Sequence, residues 1–243
     1  MELAMINDEI IAIDELDAAY LDRGVFFGDG VYEVLRSYNG RIFALDEHLQ
    51  RFRNSLAGID IQGVDIELIA KRVEKAFNQV DMPDAKIYFH ITRGSGRRNH
   101  AYDANLKPNF FLTVEEVPDD SMVKQKGIAV STHPDWRWKR CDIKSLNLLA
   151  NILARQDATK KGCYEAILVD ENGFITEGAG SAFFAILEAG LYTTPLTGNV
   201  LPSITRKYVL KAAGELGLKK KKKSIKPEQT TRAEELFIAV TTK

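Results

Sequence analysis

The sequence predicts a two-domain α+β protein, and three observations carry that reading. Helix and strand signals follow one another in an irregular order, unlike the even strand–helix alternation of a doubly wound sheet. A polar stretch at 117–127, "VPDDSMVKQKG", has the composition of a connection between domains. The 243 residues, 45% of them hydrophobic and 28% charged, suffice for two modest cores. The division expected is an N-terminal domain over 1–118, a linker over 119–126 and a C-terminal domain over 127–243.

In the first half, "GVYEVLRSYNGRIFAL" reads as two strands joined at Asn39-Gly40, because both residues tolerate positive φ. "LDEHLQRFRNSLAGI" then reads as a helix with Asp46 as N-cap, Leu49, Phe52 and Leu56 as its apolar stripe and Gly58 as its stop. A second helix is expected from about Ile66 to Val80, with Ile69, Val73, Ala76, Phe77 and Val80 on one face and Pro83 beyond it. "AKIYFHITRG" and "NFFLTVEEV" read as strands around a long polar loop, "RGSGRRNHAYDANLKP".

The second half opens with a strand, "GIAVSTH", followed by the segment around Lys144 and a helix from about Asn147 to Lys161, ended by Gly162. "YEAILVDENGFITEG" reads as a hairpin with an Asn-Gly turn at 172–173. Two more strands lead to "LPSITRKYVLKAAGELG", a helix with Ser203 as N-cap and Ile204, Tyr208, Ala212 and Leu216 on its buried side. The five lysines at 219–223 read as a solvated connection, since no aromatic platform or second basic cluster flanks them.

Bulk properties narrow the function. A formal net charge of −1 gives no general attraction to nucleic acid or membrane. Neither a secretory signal pattern nor an apolar run of about eighteen residues is present, and Cys141 and Cys163 lack metal-ligand spacing. A cytoplasmic protein with reduced thiols is expected.

Chemistry turns on Lys144 in "CDIKSLN". Its position alone fits a lysine reaching water as well as a desolvated amine used as a Schiff-base former and proton carrier. Partners decide. An aldehyde cofactor of the pyridoxal phosphate kind needs an acid against its ring nitrogen and a cup for its phosphate, best made at a helix N-terminus. Glu177, at the end of a hairpin strand among the small residues of "ITEGAGSAF", could be that acid. The amides of Ile204 and Thr205 and the Thr205 hydroxyl could make the cup.

The chain resembles the fold-type IV pyridoxal-phosphate enzymes, and among them the D-amino acid aminotransferases. The likeness runs in register through "DRGVFFGDGVYEV", "EHLQRF", "TRGSGRRNH", "RWKRCDIKSLNLL", "KGCYEAIL", "TEG", "SITR" and "FIAVTTK". It implies the two-domain α+β architecture of that fold type, with the C-terminal domain holding pyridoxal 5′-phosphate. Lys144 would bond to the cofactor as a Schiff base and carry the transferred proton, and Glu177 would hold the ring nitrogen. Arg51, rather than its neighbour Arg53, would meet the phosphate together with Ile204, Thr205 and Thr241, and Ser181 would supply a further hydroxyl. Tyr32, Arg98 and His100 would bind the substrate carboxylate, with Thr242 beside them; the "RNH" register selects Arg98 over Arg97.

In this family the "RNH" loop comes from the neighbouring subunit, so the resemblance also implies a homodimer with interface active sites. The activity implied is ping-pong transfer of an amino group from a D-amino acid such as D-alanine to a 2-oxo acid such as 2-oxoglutarate or pyruvate. A branched-chain L-amino acid aminotransferase and an aminodeoxychorismate lyase would share Lys144, Glu177 and Arg51, and a catalytically weak scaffold would share the fold. Family members usually continue beyond the point where this sequence stops, into a further strand and a closing helix.

Overall fold

The computed structural model describes residues 2–242. A short hairpin comes first, β1 (Leu3–Ile6) against β2 (Glu9–Ala12). After a one-turn helix, α1 (Arg23–Phe27), the chain enters β3 (Gly30–Tyr38) and turns into β4 (Arg41–Ile42). Asn39 and Gly40 make that turn with φ of 49° and 75°, the left-handed pair that matches strand twist. Helices α2 (Leu45–Gly58) and α3 (Ile66–Phe77) follow, then β5 (Ala85–Thr92) and β6 (Asn109–Glu116). The four strands form an antiparallel sheet in the order β4-β3-β5-β6. Its core joins Val31, Leu35, Ile87 and Phe89 of the sheet to Leu49, Phe52, Leu56, Ile69 and Val73 of the two helices.

A short helix, α4 (Ser121–Lys126), occupies the stretch expected to be a plain connection. Beyond it, β7 (Val130–Pro134), α5 (Leu149–Lys160), β8 (Glu165–Val169) and β9 (Ile175–Gly178) build a three-stranded sheet, with β7 and β8 parallel and β8 and β9 antiparallel. The remaining elements are β10 (Ala182–Leu187), β11 (Gly190–Thr193), α6 (Ile204–Glu215), β12 (Lys219–Lys222), α7 (Pro227–Thr230) and β13 (Glu235–Ala239). Their sheet runs β12-β11-β10-β13 and packs Phe184, Leu191, Leu210 and Ala213 together.

Several expectations need correction. The lysine run is not a loop: Lys219–Lys222 is an edge strand, parallel to β11 and reached through the crossover helix α6 that parallel pairing requires. Its lysines deter further pairing at that open edge, and the Lys221 ammonium bonds the Tyr192 hydroxyl at 2.7 Å. Helix α2 begins one residue before Asp46, after Ala44 in the left-handed region, so Asp46 lies in the first turn and is not the N-cap. Gly58 remains helical, with the Ile143 side chain 2.9 Å from where its Cβ would stand; the left-handed residue that follows is Asp60. On α6 the buried side is Ile204, Arg206, Leu210 and Ala213, while Leu216 is 78% exposed. Arg206 faces inward because Thr193 Oγ1 and the Thr194 carbonyl accept its N–H groups.

Candidate active site

One cavity of about 200 Å³ opens between the N-terminal sheet and the C-terminal elements. Lys144, Glu177, Arg51, Ser181, Tyr32, Thr241 and Thr242 all line it, residues spread over more than two hundred positions of sequence. Ile204 and Thr205 open α6 directly after Ser203, which is on the cavity wall.

Lys144 sits in extended chain between β7 and α5. Its amide donates to Ser55 Oγ at 3.1 Å, and its carbonyl accepts from the Tyr32 amide at 3.0 Å, so strand β3 and helix α2 hold its backbone from both sides. The ammonium lies 4.1 Å from the centre of the Tyr32 ring, and no carboxylate pairs with it among the described residues.

Glu177, near the end of β9, is on the cavity wall and almost fully buried. Its Oε1 accepts from Arg137 Nη1 and from the Leu201 amide at 3.1 Å; Oε2 has no protein donor among the described residues. Arg137 is held in turn by Asp135, through Nε at 2.9 Å and Nη2 at 2.7 Å, and by the Asn199 carbonyl. Thr176 donates to the same Asp135 carboxylate at 2.7 Å. Burial pushes the Glu177 carboxyl above its ordinary range, and the Arg137 guanidinium works against that rise.

Arg51 lines the same cavity from α2. Its Nε and Nη2 form a two-pronged bond to Glu33, each at 2.7 Å, and Nη1 donates to the Pro202 carbonyl at 3.0 Å, just before α6. His48 Nδ1 meets Glu33 Oε2 at 2.7 Å. Burial alone would raise the Glu33 carboxyl, but the Arg51 charge overcomes it and holds it down at about 2. At the start of α6, Ser203 Oγ accepts the Arg206 amide at 3.1 Å. The amides of Ile204 and Thr205 are first-turn groups with no helical acceptor and so are available to an anion. The Thr205 and Thr241 hydroxyls lie 3.4 Å apart beside them.

Ser181, Arg98 and His100 have other partners within the chain. Ser181 reaches the cavity wall but donates its hydroxyl to Glu165 Oε2 at 3.2 Å, a carboxylate that Arg155 also pairs. Arg98 and His100 do not line the cavity: both are exposed and pack on Phe27, at 5.2 and 5.4 Å from its ring centre. Arg23 holds their loop by donating to the Asn99 and His100 carbonyls, and Arg97 pairs with Glu2. Glu33, His48, Arg137 and Asp135 were not singled out in the sequence. The one signal for Glu33 is a charge inside a segment that otherwise reads as strand.

The donor set fits pyridoxal phosphate. A central amine, a carboxylate with one oxygen uncommitted and a guanidinium beside a helix N-terminus answer the cofactor's aldehyde, ring nitrogen and phosphate in turn. Gly178, Ala179 and Gly180 line the wall and leave room for a flat ring.

Comparison with known proteins agrees. Residues 30–243 match the model of the amino-transferase class IV family. A D-alanine aminotransferase of Bacillus licheniformis is 38% identical over 241 residues, covering 98% of this chain and 84% of the relative. The D-alanine aminotransferase of Staphylococcus haemolyticus is 35% identical over 245 residues, covering 99% of this chain and 86% of the relative. Among solved structures, the branched-chain amino acid aminotransferase of Escherichia coli superposes with a TM-score of 0.83 at 23% identity, covering 97% of this chain and 82% of that one, which shows the fold. The chain therefore belongs to the class IV aminotransferases, enzymes of the α+β fold type IV that depend on pyridoxal phosphate.

Proposed function

We propose that this chain is a D-amino acid transaminase that takes the amino group of a D-amino acid such as D-alanine and gives it to a 2-oxo acid. The observation that carries the reading is the meeting of Lys144, Glu177 and Arg51 in one cavity, on a chain 38% identical to a D-alanine aminotransferase along nearly its whole length. Pyridoxal phosphate, when bound, supplies an aldehyde that exchanges amino groups and a ring that draws electrons from the substrate Cα. Lys144 Nζ is the amine that holds the cofactor and then takes the substrate's α-proton. Glu177 Oε2 holds the proton of the ring nitrogen, which keeps the ring electron-poor. Arg51 and the first-turn amides of α6 hold the phosphate, with Thr205 and Thr241 beside them. Tyr32, whose ring faces Lys144, orients the substrate from the strand side. Donor and acceptor use the same cavity in turn, so the kinetics are ping-pong.

The substrate carboxylate is assigned to Arg98 and His100 of a second copy of the chain. Both stand exposed outside this chain's own cavity, which accords with a loop that serves a neighbour. A homodimer, the division into domains at 1–118 and 127–243, and a cytoplasmic location with Cys141 and Cys163 as free thiols belong to the same reading. No helix among the described residues is long and apolar enough to cross a membrane.

The test follows pyruvate made from D-alanine and 2-oxoglutarate by the cofactor-loaded protein, with L-leucine as a parallel donor. Pyruvate should form from D-alanine, and Lys144→Ala should lower turnover by roughly 10²–10⁴-fold or more. Turnover of L-leucine but not of D-alanine would overturn the assignment.

A further inference from the structure

Strand β3 alternates as an edge of a core should. Val31 and Leu35 pack on α2 and, like Ser37, are fully buried, while Tyr32 and Val34 face the cavity. Glu33 occupies the buried face with them, a carboxylate at 0% exposure in the middle of an apolar cluster. Stability does not call for it, since a buried ion pair is often replaced by well-packed apolar residues without loss. Its partners explain it. His48, Arg51 and Ser55 lie along one face of α2, at the helical spacing that aligns side chains. The first two meet Glu33, and the third holds the backbone of Lys144.

A guanidinium has five N–H donors. Three are committed here, to the two oxygens of Glu33 and to the Pro202 carbonyl. The two that remain, one on each terminal nitrogen, belong to a side chain on the cavity wall next to the α6 N-terminus. The two-pronged bond to Glu33 fixes the plane of the guanidinium, which a single contact would not. His48 takes no part in the cavity; its Nδ1 meets Glu33 and its Nε2 is buried without a partner among the described residues. A polar atom left in that state marks a side chain kept for its other contact.

We infer that Glu33 is a positioning residue for the cofactor's phosphate: it holds Arg51 so that the two uncommitted N–H groups face the anion, and His48 steadies Glu33 from the opposite side. The inference rests on the proposed function in taking Arg51 as the phosphate ligand.

The test is a binding titration of the full-length apoprotein with pyridoxal phosphate and, separately, with pyridoxal, which lacks the phosphate. The wild-type protein should prefer pyridoxal phosphate. Glu33→Gln should lower that preference by about tenfold or more while leaving pyridoxal affinity unchanged, because one charge-assisted pair steers the anion site only. Arg51→Met should lose the same preference, and the double variant should lose no more than Arg51→Met alone. An unchanged ratio in Glu33→Gln, or an equal loss for both ligands, would overturn the inference, the second because a general structural defect does not distinguish them. If Glu33→Gln does not melt cooperatively, His48→Gln decides: a fall in the ratio of about threefold supports the inference and an unchanged ratio overturns it. Absence of pyridoxal phosphate binding by the wild-type protein is a separate outcome and would overturn the cofactor assignment of the cavity itself.

Discussion

The two proposed ends of the ligand site are built from the same parts with the roles exchanged. At the proposed phosphate end an arginine, Arg51, lines the cavity and a carboxylate, Glu33, stands behind it. At the proposed ring end a carboxylate, Glu177, lines the cavity and an arginine, Arg137, supports it. Each supporting group has its own support, His48 for Glu33 and Asp135 for Arg137. Yet the electrostatic outcome differs. Glu33 is held down at about 2 by Arg51 and His48 acting on both of its oxygens, whereas burial wins at Glu177, whose Oε1 takes both protein donors. A carboxylate satisfied by its own protein is a structural part, and one left half-satisfied in a buried wall is waiting for a cation. That contrast separates a support from a ligand-facing group where residue type cannot.

The largest effect that can break the contrast is on the stability of the apoprotein. Glu33→Gln leaves one oxygen for three donors and sets an amide N–H₂ against Arg51 or His48, so it should destabilise by about 3 kcal/mol or more. In Glu177→Gln the amide oxygen can still accept from Arg137 and Leu201, while Arg137 keeps Asp135, and the change should stay within about 1 kcal/mol of the wild type. Urea denaturation of the three apoproteins at neutral pH measures both values. Equal losses would mean that the two carboxylates are structurally alike, and the contrast would fail.

Acid sharpens it, because the two groups tilt stability in opposite directions. Glu33 has a folded value of about 2 against an ordinary 4.5, so the stability it adds is fully present above 4.5 and is lost as pH falls through 2, roughly 3 kcal/mol in all. Glu177 is raised above 4.5, so from that point upward to its folded value the folded state holds its proton more firmly, and stability falls as pH rises. The gap between the wild type and Glu33→Gln should therefore narrow on acidification from pH 5 toward 2. Above 4.5 the wild type should instead lose stability relative to Glu177→Gln as pH rises. Melting temperatures across that range report both slopes, and slopes of the same sign would contradict the assignment of charge at one end.

Sequence offered candidates for the cavity wall and hid their supports. Lys144 ahead of a helix and Glu177 among small residues are candidates by their surroundings, whereas Arg51 is separated from Arg53 only by the family resemblance, and all three line the one cavity. Glu33 could not be read that way, because β3 places Val31, Glu33, Leu35 and Ser37 on one face and Tyr32, Val34 and Arg36 on the other, and neither face is purely apolar. Arg137 is visible inside "RWKRCD", but its task depends on the segment after β7 meeting the end of β9 across the sheet β7-β8-β9, a contact between residues some forty positions apart. The same tertiary dependence explains α6, where Thr193 and Thr194 turn Arg206 inward against the apolar stripe, and the lysine strand β12, whose pairing with β11 is decided by the crossover and not by its own side chains. Arg98 and His100 are a different case: the pattern identifies them, while the single chain leaves them outside its own cavity.

The smallest expected effect belongs to the helix that completes the phosphate end, and it tests whether that end is one unit. Ser203 caps α6 by accepting the Arg206 amide, which leaves the amides of Ile204 and Thr205 for the ligand. Ser203→Ala removes the cap and should lower apoprotein stability by about 1 kcal/mol, a shift of roughly 2–4 °C in melting temperature for a chain of this size. Without the cap the first turn frays and the two remaining amides lose their fixed direction, so pyridoxal phosphate should bind a few-fold more weakly while pyridoxal is unaffected. The proposed ring end should not respond, because no hydrogen bond among the described residues joins Glu177, Arg137 or Asp135 directly to Ser203. If the cap deletion weakened pyridoxal as much as its phosphate, the two ends would be coupled through the cavity wall at Leu201 and Pro202, and treating them as separate charge pairs would be wrong.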